Sequence, residues 1–187
     1  LRMLLVVAIS AFWSCQSAAL EQSVRGVSRD GNTLTLTTDK GLVRIRFYNP
    51  EAVEVFYQPA GVNQIDSFAI NADADNLPLK LAMVNTRSAV RFSSAGLRVQ
   101  IDKSPFKIRF IKGGKILLSE NAGLQLEQGQ RGFSFDLQPQ EKLMGTGQRV
   151  LGMDRRGFKL PLYNKASYGY TTKAEQMYYS IPAVLST

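Results

Sequence analysis

Thr33-Leu34-Thr35-Leu36-Thr37-Thr38-Asp39-Lys40-Gly41-Leu42-Val43-Arg44-Ile45-Arg46-Phe47 decides the fold class. Two alternating runs flank a short polar break. Side chains at i and i+2 share one face of a strand, so alternation lets one face enter a core while the other stays wet. Thr33–Thr38 keeps period two throughout. In Leu42–Phe47, Leu42, Ile45 and Phe47 are only roughly in phase. Asp39-Lys40-Gly41 between the runs predicts a hairpin connection.

The same pattern continues in both directions. Asp30-Gly31 predicts an earlier hairpin, between strands at Ser23–Ser28 and Asn32–Thr38. Ala52–Tyr57 reads as the next strand, with Pro50 and Pro59 near its ends, where a missing N–H is tolerated. Residues 61–78 lack periodicity and read as a loop, with at most one short element near Ser67–Ile70. Strands resume at Leu81–Asn85, Ser88–Ser93, Gly96–Asp102, Phe106–Ile111, Lys115–Ser119 and Gly132–Leu137. Ser94-Ala95-Gly96 and Gly113-Gly114 supply turns, the second a strong hairpin signal. No stretch carries a convincing helical stripe. Many short strands separated by turn residues predict an all-β, antiparallel β-sandwich.

Composition excludes several chemistries. The 187 residues contain one cysteine and no histidine. An intrachain disulfide framework is therefore ruled out. So are Ser-His-Asp and Cys-His catalysis. The commonest zinc ligand is missing. The loop pairs Asn71-Ala72-Asp73 and Asp75-Asn76 resemble a calcium loop only in part, because the central Gly and terminal Glu of an EF-hand are absent; no metal and no cofactor are expected. The formal charge is +8, but the basic residues are spread from Arg25 to Lys173 and form no nucleic-acid stripe. A solvated basic surface is the expectation.

Leu1–Leu20 reads as a secretory leader. Arg2 supplies the positive charge, and Met3–Trp13 is an apolar run too short to span a bilayer. Ser17-Ala18-Ala19 offers small residues at the positions a signal peptidase inspects. The alternative is lipidation at Cys15, although bulky Phe12 and Trp13 fit that pattern poorly. The expected division is a signal peptide at 1–19 and a β-sandwich domain at 20–187, in an exported, periplasmic or extracellular protein without a transmembrane span. Ser180–Leu185 reads as a strand on which the sequence breaks off, so both ends suggest a piece of a longer protein.

The densest pattern lies in residues 143–187. Gly145-Thr146-Gly147 is a backbone device for a sharp bend or a close chain approach. It lacks the lysine-serine pair of a phosphate loop. Asp154-Arg155-Arg156-Gly157 predicts a turn with its carboxylate in an ion pair to a local arginine, a sugar contact being the alternative. Tyr163, Tyr168, Tyr170, Tyr178 and Tyr179 suit sugar rings, whose C–H faces stack on aromatics. Tyr178 and Tyr179 read as half-buried anchors. Tyr168, beside Asn164 and Gly169, reads as a binding residue.

Taken in order, Gly145, Gly147, Arg149, Asp154, Arg156, Gly157, Tyr163, Asn164, Tyr168, Gly169, Tyr178, Ser180, Ile181 and Pro182 resemble the segment that precedes the catalytic barrel in glycoside hydrolase family 31, the α-glucosidases and α-xylosidases. The resemblance implies a sandwich of the galactose-mutarotase type, truncated at its C-terminal strands. It implies a retaining α-glycosidase whose Asp pair sits on a barrel that this chain does not contain; Asp136, Asp154 and Glu175 are not read as catalytic. The implied partners are an α-glycoside and the protein's own barrel. Two departures stand out. Gln148 replaces the usual Glu after Gly-x-Gly. Ala166 stands where many members carry an Asp that touches the sugar, so Ser167 or Tyr168 is expected to take that role, or the substrate differs. The candidate substrate-binding residues are therefore Asn164, Ser167 and Tyr168. The rival reading is a free-standing carbohydrate-binding or adhesion sandwich.

Overall fold

A computed structural model describes residues 22–63, 65, 77–127, 129–166, 168–175 and 177–187. The leader, Cys15, the element expected near Ser67–Ile70 and the acidic pairs at 71–76 lie outside the described residues. The chain divides into two compact units, one ending at Asp136 and the other spanning Leu137–Thr187.

In the first unit, β1 (Val24–Asp30), β2 (Thr33–Thr38), β3 (Gly41–Phe47) and β4 (Val53–Pro59) form a four-stranded sheet in sequence order. A six-stranded sheet follows, built from β5 (Ala82–Asn85), β6 (Ala89–Ser93), β7 (Arg98–Lys103), β8 (Phe106–Lys112), β9 (Lys115–Glu127) and β10 (Gln130–Phe135). Every neighbouring pair is antiparallel. The expected all-β sandwich is what forms, and the described residues include no helix.

Alternation places the core. Leu34 and Leu36 of β2 point inward with Val43, Ile45 and Phe47 of β3. The inward set of β3 thus runs back from Phe47 in steps of two and passes through Val43. Leu42, expected to share that phase, lies on the other face, only half-buried. From the second sheet come Val90, Phe92, Val99, Ile101, Phe106 and Ile108. Phe47 and Phe92 meet edge to face across the two sheets, with ring centroids 5.3 Å apart. Burying one such side chain contributes about 1.5–3 kcal/mol.

Polar clips join the sheets at one end. Gln22 Nε2 donates to Thr38 Oγ1 at 2.9 Å, while its Oε1 accepts from the Leu124 N–H at 2.8 Å. Tyr57 on β4 donates its phenol proton to Glu120 Oε1 on β9 at 2.5 Å. The Ile108 N–H donates to Glu120 Oε2 at 3.2 Å. Burial pushes the Glu120 carboxyl up to about 7, against the opposing pull of these hydrogen bonds and of Lys107. The Tyr57 phenol is raised too, chiefly by burial and then by the Glu120 charge.

β9 is longer than the Lys115–Ser119 strand expected. The strand runs on past Ser119 because Glu120 faces inward to Tyr57 and Gly123 lets the chain pass close under Gln22 and the Phe106 ring.

Candidate functional site

Gly145, Thr146 and Gly147 shape the start of the second unit. β11 (Leu143–Gly147) pairs antiparallel with β12 (Ser180–Ser186), and the register shifts between Gly145 and Gly147. All three residues take positive φ, at 104°, 67° and 88°. Thr146 is β-branched, so its left-handed backbone is strained. A Cβ on Gly147 would lie 2.7 Å from the Tyr179 carbonyl oxygen and 2.8 Å from Ser180 Cα. The two glycines therefore permit a close approach of backbone to backbone, as the sequence suggests. Gly147→Ala should cost roughly 1–3 kcal/mol from the backbone conformation alone, with the clash in addition. Urea denaturation of the variant measures it.

Just beyond, Arg149 gathers the segment around itself. It is only 8% exposed. Its Nη1 donates to the carbonyls of Gln148 at 2.7 Å and Tyr179 at 3.3 Å. Its Nη2 donates to the Pro161 carbonyl at 2.8 Å and to Ser180 Oγ at 2.9 Å. A rigid planar fork is required to reach four acceptors at once; a lysine ammonium could not. Ser180 is the second hub, because its N–H donates to Asn164 Oδ1 at 2.7 Å. The chain around Pro161–Asn164 is thereby fastened to the first residue of β12.

Asp154 stands just before a turn centred on Arg156 and Gly157, and its carboxylate is held otherwise than expected. Asp154 Oδ1 accepts from the backbone N–H groups of Leu143 at 3.1 Å and Arg156 at 3.0 Å. These bonds, the Arg156 amide first, hold its carboxyl below the usual carboxylate range. The Arg156 guanidinium instead donates to the carbonyls of Gln138, Pro139 and Glu141 at 2.7, 3.1 and 3.1 Å. The guanidinium is thus committed to backbone acceptors, and its charge reaches the Asp154 carboxylate only as a lesser Coulombic pull. Glu141 in turn is hydrogen-bonded by the Ser186 hydroxyl and the Gln138 N–H, and the Ser186 contact leads in lowering its carboxyl.

The candidate binding residues now have places. Asn164 is exposed, with its side-chain oxygen engaged by Ser180. Tyr168 is 90% exposed and presents its ring to solvent. Ser167 lies outside the described residues. Tyr170 and Tyr178 meet edge to face at 6.0 Å. Tyr178 and Tyr179, expected as half-buried anchors, keep about half of their surface in solvent, 44% and 50%. A separate open cleft of about 510 Å³ lies against Gln148, Arg149, Phe158, Lys173 and Met177, and neither Asn164 nor Tyr168 lines it. The structural roles of Arg149 and Ser180 were not assigned from sequence. Their positions in Gly-x-Gly-x-Arg and Tyr-x-Ser-Ile-Pro were the available signal. Among the described residues no cluster of three or more acidic or cysteine side chains could hold a metal.

Residues 42–187 match the family model of the glycosyl hydrolase 31 N-terminal galactose mutarotase-like domain. The chain belongs to this family. Its first unit is the antiparallel β-sandwich of that domain type. Alpha-glucosidase 2 of Bacillus thermoamyloliquefaciens is 24% identical over 157 residues, covering 77% of this chain and 19% of that protein. The family-31 dextranase of Flavobacterium johnsoniae, solved with isomaltotriose, superposes with a TM-score of 0.79 at 21% identity, over 89% of this chain and 21% of that one. The cycloalternan-forming enzyme of Listeria monocytogenes, solved with a pentasaccharide substrate, gives 0.71 at 19% identity, over 88% and 16%. The chain thus spans about a fifth of the length of the alpha-glucosidase it matches. At these identities the two structures share the fold of the family-31 N-terminal domain with it.

Proposed function

We propose that this chain is the non-catalytic N-terminal sandwich of an exported retaining α-glycosidase acting on α-glucosides or α-xylosides. Its tasks are to brace a catalytic barrel and to lend the loop from Tyr163 to Tyr170 to the substrate entrance. The supporting observation is the loop's construction inside a family-31 domain. Asn164 and Ser180 tie its base to β12, while Tyr168 stands clear with its ring in solvent. An aromatic face on an anchored loop can stack on a sugar ring without rearranging its support.

Retention of configuration requires two carboxyl groups about 5–5.5 Å apart, one attacking the anomeric carbon and one acting as acid and then base. In this proposal that pair resides on the barrel. Asp154 and Glu141 are already committed to holding backbone and the Ser186 hydroxyl.

Aryl α-glucosides and aryl α-xylosides test the division of labour. The purified chain should release no phenol from either. The longer polypeptide that the proposal requires should release it, and Tyr168→Ala in that polypeptide should raise KM about tenfold with a smaller change in kcat, the mark of lost binding. Turnover by the isolated chain, abolished by an Asp→Asn change within it, would overturn the proposal. A reading frame that stops after Thr187 would favour the free-standing carbohydrate-binding sandwich instead.

A further inference from the structure

The cleft beside Arg149 has a charge pattern that the proposed loop function does not use. Arg149 and Lys173 stand on its wall with Gln148 and Thr172, and no acidic residue lines it. Arg149 is nine-tenths buried, yet each acceptor bonded to its guanidinium is a neutral carbonyl or hydroxyl. Four of its five donors are engaged there, and Nε has no partner. A buried cation compensated only by dipoles favours an anion placed nearby. Among the described residues, no hydrogen bond or ion pair engages the exposed Lys173 ammonium. Phe158 and Met177 add an apolar wall to the same space.

The cleft's volume of about 510 Å³ lies within the size range of small-ligand sites. Gln148, which the resemblance sets at the position of the usual family glutamate, is among the lining residues and carries no charge. A glutamate at 148 would supply the missing negative charge from within the chain. With glutamine there, the lining carries no negative charge of its own.

We propose that this cleft binds a carboxylate carried on a compact, partly apolar body of about monosaccharide size, a uronic acid being the type. Lys173 pairs with the carboxylate, the field of Arg149 reinforces it, and the C–H face of the ring lies on Phe158 and Met177. The proposal does not depend on a barrel or on hydrolysis, so it stands or falls separately from the reading of the Tyr163–Tyr170 loop.

Glucuronate, glucose and acetate are the probes, titrated into the chain with binding followed by calorimetry and amide chemical shifts. Glucuronate should bind roughly tenfold or more tightly than glucose, the gain expected of one charge-assisted hydrogen bond. It should also bind more tightly than acetate, which lacks the ring, and should weaken as salt screens the ammonium. Lys173→Gln should lower glucuronate affinity several-fold and leave the response to glucose unchanged. Gln148→Glu should abolish glucuronate binding and raise the melting temperature of the free chain, because it places an internal anion beside Arg149. Equal binding of glucuronate and glucose, acetate matching glucuronate, or undiminished glucuronate binding in Lys173→Gln would each overturn the proposal. Should Gln148→Glu not fold, Lys173→Gln and the three probes still decide it.

Discussion

Arg149→Ala should lose about 3 kcal/mol or more of stability in the segment Leu143–Thr187. The guanidinium donates to three carbonyls and one hydroxyl from sites spread between Gln148 and Ser180. Removing it takes four charge-assisted hydrogen bonds from the segment, each worth about 1.5–3 kcal/mol, although the Tyr179 carbonyl keeps the Gln148 N–H and the Pro161 carbonyl keeps the Ser180 hydroxyl. Arg149→Lys should recover only a minor part, because a point ammonium cannot span the same four acceptors. Amide hydrogen exchange provides the measurement. The Ser180 amide, which donates to Asn164, and the β11–β12 amides should exchange at least about a hundredfold faster in the alanine variant, by the usual conversion of free energy to rate. Unchanged protection there would show that the loop is held by something other than Arg149.

The second large effect belongs to the sandwich and is read along the pH axis. The Glu120 carboxyl is raised from 4.5 to about 7 in the folded state. An acid raised on folding binds its proton more tightly when native, so stability is greatest below the unfolded value and falls as pH rises. The decline should begin near pH 4.5 and be complete above about pH 7. The shift amounts to about 3 kcal/mol between the two ends of that window. Glu120→Gln should flatten the slope. A glutamine resembles the protonated acid: its carbonyl can accept from the Ile108 N–H while its amide donates to the Tyr57 oxygen. The variant should match the parent near pH 4.5 and exceed it by up to about 3 kcal/mol at pH 8. Asp154 and Glu141 act oppositely and elsewhere on the axis. Their carboxyls are lowered on folding, so their contribution is present above their unfolded values and lost as pH falls through the folded ones. Urea midpoints at half-unit intervals from about pH 2 to 8 separate the effects, and a flat parent curve from pH 5 to 7 would refute the Glu120 assignment.

Local pattern was enough for most of the sandwich and for little of the site. Leu34 and Leu36 alternate with threonines, and nothing distant is needed to see which face they bury. The phase of β3 was harder, because Leu42 sits next to a turn and its apolarity competes with that of Val43; only the position of Phe47 against Phe92 resolves it. The far half of β9 was hidden by Glu120, a residue that reads as surface until Tyr57, 63 positions earlier, appears beside it. Gly145 and Gly147 were legible as a backbone device because glycine has few other uses in a strand. Arg149 was legible as part of a pattern but not as a hub, since its acceptors converge from residues that only the fold assembles. Asp154 misled for the same reason. Two adjacent arginines suggested an ion pair, and the competing carbonyls of Gln138, Pro139 and Glu141 lie well back in the chain.

Ser180 fixes one flank of the aromatic loop through Asn164, and the edge-to-face meeting of Tyr170 with Tyr178 fixes the other. Lys165, Ala166, Tyr168 and Gly169 lie between these two fastenings in sequence, like the deck of a short bridge between piers. Its surfacing can be exchanged while the piers keep their load. On the proposed reading of this loop, the exposed ring of Tyr168 can be exchanged for another side chain while the Asn164–Ser180 and Tyr170–Tyr178 contacts beneath it stay as they are.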